Sequence, residues 1–186
     1  MKKIVLAFDS FKGCITAKEA CDAAAMGVLS VCPEATVVQM PMSDGGEGLV
    51  KCVCQIIPTQ TISIRVHGPL KEDIMAEYAL SMDGRTAYTE MAAASGLTLV
   101  PQDRRNPMVT TTYGVGEMIA DTVRRGCKTI IMGLGGSATC DGGRGMIMAL
   151  RDNDCLNPDC DVIAACDVSN PLFGRNGAAY IFAPQK

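Results

Sequence analysis

The 186-residue chain is 48% hydrophobic and 20% charged, enough apolar material for one compact domain or two small ones. Its net charge of -3 and isoelectric point near 5.2 give no basic field to release counterions from phosphates, which excludes a nucleic-acid binder. No run of about 18 apolar residues occurs, and the apolar run after Met1-Lys2-Lys3 is short, holds Asp9 and lacks a signal-type cleavage site; no membrane and a cytoplasmic location are expected.

Ile4 to Phe8 reads as a strand, followed by the loop Asp9-Ser10-Phe11-Lys12-Gly13 and a helix from Ala17 to about Ser30, opened by the capping box Thr16-Ala-Lys-Glu19. Ala35 to Met40 is a second strand. It runs into Pro41-Met-Ser-Asp44-Gly45-Gly46-Glu47-Gly48 and a helix that stops before Pro58. Beyond Pro58 the pattern changes. Thr61 to Val66 alternates as a half-buried strand does, and Ile74 to Leu80 and Thr86 to Met91, joined through Asp83-Gly84, read as an antiparallel hairpin. A helix from Tyr113 to Arg125-Gly126, a buried strand Thr129 to Met132, a helical stretch Met146 to Leu150 and a last strand Val162 to Cys166 complete the chain. We take Pro58 as a domain boundary, with residues 1–58 and 59–186 on either side.

The ten cysteines, without a Cys-x-x-Cys pair or any mark of secretion, read as reduced and mostly core residues. His67 is the single histidine; it precedes Gly68-Pro69 and reads as a turn residue, which leaves little support for a Ser-His-Asp or Cys-His mechanism.

Three glycine-rich strand-to-helix loops each carry a carboxylate, and glycine lets backbone amides come close to a phosphate. In the first, Lys12 can neutralise an anion, Ser10 can donate a hydrogen bond, and Asp9 can take a proton or a magnesium-bound water. In the second, Asp44 and Glu47 lie at a helix N-terminus where hard cations or an incoming hydroxyl can meet them. The third runs from Gly133 to Gly143. Its Gly133-x-Gly135-x-x-Ala138 matches the dinucleotide fingerprint loosely, which keeps a dinucleotide-dependent oxidoreductase open, but Asp141-Gly142-Gly143 disfavours the helix start that fold requires. There is neither a Walker loop nor the protein-kinase motif set.

Asp9-Ser-Phe-Lys-Gly13, Ser43-Asp-Gly-Gly-Glu-Gly48, Glu90-Met-Ala-Ala-Ala-Ser-Gly-Leu97, Arg105-Asn-Pro107, Thr112-Tyr-Gly-Val-Gly-Glu117, Gly135-Gly-Ser-Ala-Thr-Cys-Asp-Gly-Gly143, Cys166-Asp-Val-Ser-Asn-Pro-Leu172 and Pro184-Gln-Lys186 together resemble the motifs of bacterial-type glycerate kinases, in the family's order. The resemblance implies an α/β fold of two domains: a flavodoxin-like (Rossmann-like) three-layer domain, begun by residues 1–58, and an inserted mixed-sheet domain, residues 59–186, with the site in the cleft between them. It implies ATP-dependent phosphorylation of D-glycerate, at the C2 hydroxyl to give 2-phosphoglycerate, with Mg²⁺, and is compatible with a homodimer. The catalytic residues it points to are Asp9, Lys12, Asp44 and Asp141, with Asp44 and Asp141 as metal ligands. Ser10, Gly45, Gly46, Glu47, Gly135, Gly136, Ser137, Asp167, Asn170 and Lys186 are the expected substrate and phosphate contacts. Three departures stand out: the family's chains continue well past Pro-Gln-Lys, so 186 residues read as part of a longer protein with open edges on the first two strands; Leu150 to Asp161 is shorter than usual; and Cys140 stands where asparagine is usual. A non-catalytic small-anion or nucleotide-binding fragment is the alternative.

Overall fold

A computed structural model describes residues 2–11, 14–156 and 159–186. It is α/β with two separate sheets. β1 (Lys3–Leu6) and β2 (Thr36–Gln39) pair in parallel, from Lys3 opposite Thr36 to Leu6 opposite Gln39. A parallel pair needs a crossover, here the helix α1 (Ala17–Val31). The expected capping box fixes where α1 begins: the Thr16 hydroxyl accepts the Glu19 amide at 3.2 Å, and the Thr16 amide donates to Glu19 Oε2 at 2.7 Å. Leu6, Cys21 and Ala25 form a small core beneath it, with Ile4, Phe8, Ala24 and Val37 packed alongside. The first strand ends at Leu6, two residues short of the expected Phe8, although the Phe8 carbonyl still accepts the Met42 amide at 2.8 Å. Among the described residues β1 and β2 pair only with each other.

α2 (Leu49–Ile56) ends just before Pro58, and the chain then enters the second sheet, ordered β3-β4-β5-β6-β7. β3 (Thr59–His67) and β4 (Asp73–Ser81) form a nine-residue antiparallel ladder. His67 closes β3 opposite Asp73 and is therefore a strand end, not a turn residue. Glu117 holds it there, accepting the His67 amide at 2.7 Å and meeting Nδ1 at 2.9 Å. The Asp83-Gly84 hairpin forms as its sequence dictates: Asp83 Oδ1 accepts the Ser81 hydroxyl at 2.6 Å and the Arg85 amide at 3.0 Å, and Gly84 takes φ +69°.

β5 (Thr86–Glu90) pairs antiparallel with β4 and parallel with β6 (Thr129–Gly133), which in turn pairs parallel with the exposed edge strand β7 (Asp161–Ala165). The short helix α3 (Ala92–Ser95) follows β5, α4 (Tyr113–Arg124) precedes β6, and α5 (Arg144–Asp152) carries the chain from β6 to β7. A final turn of helix, α6 (Ala178–Ile181), lies near the last described residues. α5 is longer than the Met146 to Leu150 stretch expected, beginning as soon as Gly143, at φ +78°, has turned the backbone. Among the described residues no helix is long and apolar enough to cross a membrane.

The main core lies between this sheet and α4, where Tyr78, Val115, Met118, Ile119 and Ile130 are almost fully excluded from solvent. Tyr78 is buried with its polar end satisfied, its hydroxyl donating to Asp121 Oδ2 at 2.6 Å. Arg125 Nε reaches the same oxygen at 2.8 Å. Burial, and then the Asp121 acceptor, push the phenol well above its ordinary range. The sign follows: a raised folded-state value contributes stability that is complete below the unfolded value, about 10, and is lost as pH rises above it. Tyr78→Phe should therefore cost about 1 kcal/mol at neutral pH, and urea midpoints should fall less steeply above about pH 10 for the variant than for the parent protein.

Candidate functional site

β5, β6 and β7 run parallel and all end at one edge of the sheet, at Glu90, Gly133 and Ala165. Carboxyl ends of parallel strands are where open α/β sheets collect their ligand loops. The loop after β6 is anchored there on three sides. Leu134 donates to the Ala165 carbonyl at 3.2 Å, Met91 donates to the Gly133 carbonyl at 2.8 Å, and Leu97 donates to the Gly136 carbonyl at 2.8 Å. On its fourth side it meets the loop between β2 and α2, where the Gly135 amide donates to the Gly45 carbonyl at 3.0 Å.

Glycines permit the close packing around that contact. A Cβ on Gly135 would lie 2.6 Å from Gly46 Cα, and Gly45, at φ +84°, would put one 2.7 Å from the Ala165 carbonyl oxygen. Their small size lets one loop touch another, a different use from the phosphate approach expected of them. The Gly135 amide is accordingly committed to Gly45. The Gly136, Ser137 and Glu47 amides have no acceptor among the described residues, and a Cβ on Gly136 would sit 3.5 Å from the Glu47 nitrogen. Gly136 and Glu47 are exposed and Ser137 is half-buried, so these donors line the accessible surface where the two loops meet. Backbone N–H groups without internal partners are suited to an anion.

The remainder of the loop is braced from below. The Ser137 hydroxyl accepts the Thr139 amide at 2.9 Å and lies 2.6 Å from Thr139 Oγ1. The Thr139 carbonyl receives Lys186 Nζ at 2.8 Å. This places Lys186, 47 residues away in sequence, beside the third loop. Burial pulls its amine below the ordinary lysine range, opposed by the nearby Cys140 and Asp141. Asp141 is engaged on both oxygens: Oδ2 accepts the Thr112 amide at 3.0 Å, the Thr112 hydroxyl at 2.8 Å and the Gly145 amide at 3.1 Å, and Oδ1 accepts the Gly143 amide at 3.1 Å. It thus ties the start of α5 to the start of α4. The buried Thr112, which also accepts the Met146 amide at 3.0 Å, is a site-building residue whose individual role the sequence did not single out.

The first loop joins the second through the Met42 amide, which donates to the Phe8 carbonyl at 2.8 Å. Asp9 is half-buried and accepts the Ser10 amide at 2.6 Å. Burial, then the charges of Asp9 and Glu90, push the Cys52 thiol up. Asp44 Oδ1 accepts the Gly46 amide at 2.9 Å, and Ser43 Oγ accepts the Gly45 amide at 3.3 Å. Lys12, assigned an anion-binding role from the sequence, lies outside the described residues. Asp167 and Asn170 follow β7, both exposed. Asn170 donates to the Asn176 carbonyl at 3.0 Å, and among the described residues no hydrogen bond links either residue to the three loops. No three His, Cys, Asp or Glu residues among those described converge as a metal-ligand cluster. The dinucleotide fingerprint lacks its structural context, because α5 starts at Arg144, six residues past the motif's last position at Ala138.

These features define an α/β protein whose glycine-rich loops, drawn from two sheets, meet at the carboxyl edge of a mixed sheet. The chain belongs to the glycerate kinase family, whose model matches residues 4–153 and 151–186. It is 42% identical to the glycerate 2-kinase of Escherichia coli (strain K12) and 43% identical to the glycerate kinase of Bacillus subtilis (strain 168); each alignment covers 99% of this chain and 55% of the relative. The crystal structure of "putative glycerate kinase 2 from Salmonella typhimurium LT2" matches with a TM-score of 0.82 and 38% identity, over 100% of this chain and 57% of that one. The chain thus spans little more than half the length of these relatives. The alignments run over 211 positions, and the two family matches meet at residues 151–153, where the sequence reading found a shortened stretch.

Gly135→Ala tests the contact between loops. The added methyl would push against the Gly46 backbone, which has no flexible end to yield. The expected outcome is a loss of about 1–3 kcal/mol in unfolding free energy, with hydrogen exchange rising in residues 44–48 and 134–138. Gly27→Ala, where an added Cβ meets nothing within 4 Å, should show neither change.

Proposed function

We propose that this chain carries the glycerate-binding and phosphoryl-handling loops of an ATP-dependent kinase that phosphorylates D-glycerate at the C2 hydroxyl, giving 2-phosphoglycerate. The observation that carries this reading is the meeting of the Asp9, Asp44 and Gly133–Gly143 loops at one sheet edge in a member of the glycerate kinase family. Phosphoryl transfer asks little covalent chemistry of the protein. It needs in-line positioning and preorganised donors for the charge on the transferred group.

The Gly136 and Ser137 amides, the Glu47 amide and Lys186 are the donors assigned to anionic oxygens. The half-buried Lys186 suits this role because a partly desolvated ammonium gains more from a phosphate or carboxylate than an exposed one does. Asp44 fits Mg²⁺, which takes one or two carboxylates and completes its shell with phosphate oxygens and water. Bound there, the ion would offset charge on the phosphates. Asp141 is given a different role from the one expected of it. Both of its oxygens are already engaged by four protein donors, so we assign it to positioning the third loop and Thr112. The base for the glycerate hydroxyl is then Asp9 or Asp44. Asp167 and Asn170, in the segment after β7, are assigned to ligand positioning, and Lys12 to charge neutralisation.

The same proposal takes residues 1–58 as the beginning of the flavodoxin-like domain and 59–186 as the mixed-sheet domain, supported by the division of strands between two sheets on either side of Pro58. It also takes the protein to be cytoplasmic and compatible with a homodimer.

ADP release measured with ATP, Mg²⁺ and D-glycerate tests the reading, with the product's phosphorylated carbon assigned by NMR. Glycerate-dependent turnover with phosphate on C2 is the expected result. Asp9→Asn or Asp44→Asn, whichever removes the base, should lower kcat about 100-fold or more. Binding of ATP or glycerate without turnover would leave an anion-binding fragment, and phosphate on C3 would overturn the regiochemistry.

A further inference from the structure

α2 begins without a cap of its own. Its N-cap residue is Gly48, in the left-handed region at φ +98°, with no side chain to offer, and its first turn holds no acidic residue. A helix start leaves orphan amides that need an acceptor. Glu90 supplies one from the other sheet: its Oε2 accepts both the Gly48 and the Val50 amides at 3.1 Å, across 42 and 40 residues of sequence. Glu90 is the last residue of β5, and the next amide, Met91, donates to the Gly133 carbonyl at the root of the third loop. The same strand end therefore holds the start of α2 through a side chain and the third loop through its backbone. The carboxylate lies along a cleft of about 250 Å³ shared with Val50, Lys51 and Ala76, and no other charged side chain hydrogen-bonds to it among the described residues. Burial pushes its carboxyl up, partly offset by the two amides.

We infer that Glu90 is a positioning residue, a clamp from the end of β5 onto the N-terminus of α2 that sets the Ser43–Gly48 loop against the Gly133–Ser137 loop. The carboxylate favours the positive end of the helix dipole, and a shared acceptor fixes the two amides in one orientation. Neither contact involves a ligand, so Glu90 acts through the loop that carries Asp44 and Glu47. The clamp is a feature of the fold; only its consequence for turnover rests on the kinase reading above.

Glu90→Ala and Glu90→Gln separate the possibilities. The alanine variant removes the acceptor, whereas glutamine keeps an oxygen that both amides can reach. Amide exchange measured by mass spectrometry should accelerate about tenfold or more in the peptide spanning residues 44–52 of Glu90→Ala, with the β3–β4 ladder unchanged, and return most of the way to the parent rate in Glu90→Gln. If the chain turns over, kcat should fall about 100-fold in Glu90→Ala and recover to within about tenfold of the parent in Glu90→Gln. Unchanged exchange at 44–52 in Glu90→Ala overturns the clamp even if activity persists. Faster exchange with normal kcat removes its positioning role. A glutamine variant as impaired as alanine in both readouts overturns the hydrogen-bonding account. A parent chain with no turnover sinks the kinase reading of this chain and leaves the exchange result to judge the clamp. Should Glu90→Ala fail to fold, Glu90→Asp, one methylene too short to reach, carries the same comparison.

Discussion

The site depends on a backbone contact between two loops from different sheets, the Gly135 amide on the Gly45 carbonyl. Around it the loops pack too closely for side chains: a Cβ on Gly135 would lie 2.6 Å from Gly46 Cα, and one on Gly45 would lie 2.7 Å from the Ala165 carbonyl oxygen. Because the contact is made by main chain, it fixes position more tightly than side chains with rotamer freedom do. It also leaves the neighbouring Gly136, Ser137 and Glu47 amides without acceptors among the described residues, where the two loops meet.

Around that contact, carboxylates act chiefly as struts. Asp141 gathers the starts of α4 and α5, Glu90 holds the start of α2, and Glu117 holds the end of β3. Each meets amides that would otherwise be orphaned at a helix start or a strand end, where an unsatisfied buried N–H costs about 1–3 kcal/mol. Asp9 and Asp44 stand in loops that lead toward the shared edge. Asp141 and Glu90 are consumed in holding those loops still.

Much of the fold was legible because it rests on local rules. The Thr16–Glu19 capping box, the Asp83-Gly84 hairpin, the Pro58 stop and the alternation in β3 each follow from a few neighbouring residues, and each appears in the structure. His67 was misplaced because Gly68-Pro69 signals a turn while the ladder with β4 extends one residue further than that signal suggests. The candidate site was legible as a set of residues but less so as a set of roles. Nothing local distinguishes Asp141, with four donors around it, from Asp44, and nothing in the segment around Glu90 indicates that it caps a helix some forty residues earlier.

The sequence by itself determined the family, the succession of strands and helices, and the loops in which chemistry could sit, because motifs, caps and periodicity are properties of neighbouring residues. Tertiary structure alone decided which glycines serve contact between loops, which amides stay open, that Lys186 reaches Thr139, and which carboxylates are bound up as caps. Those outcomes turn on distances between segments far apart in the chain, and such distances exist only once two sheets have packed together.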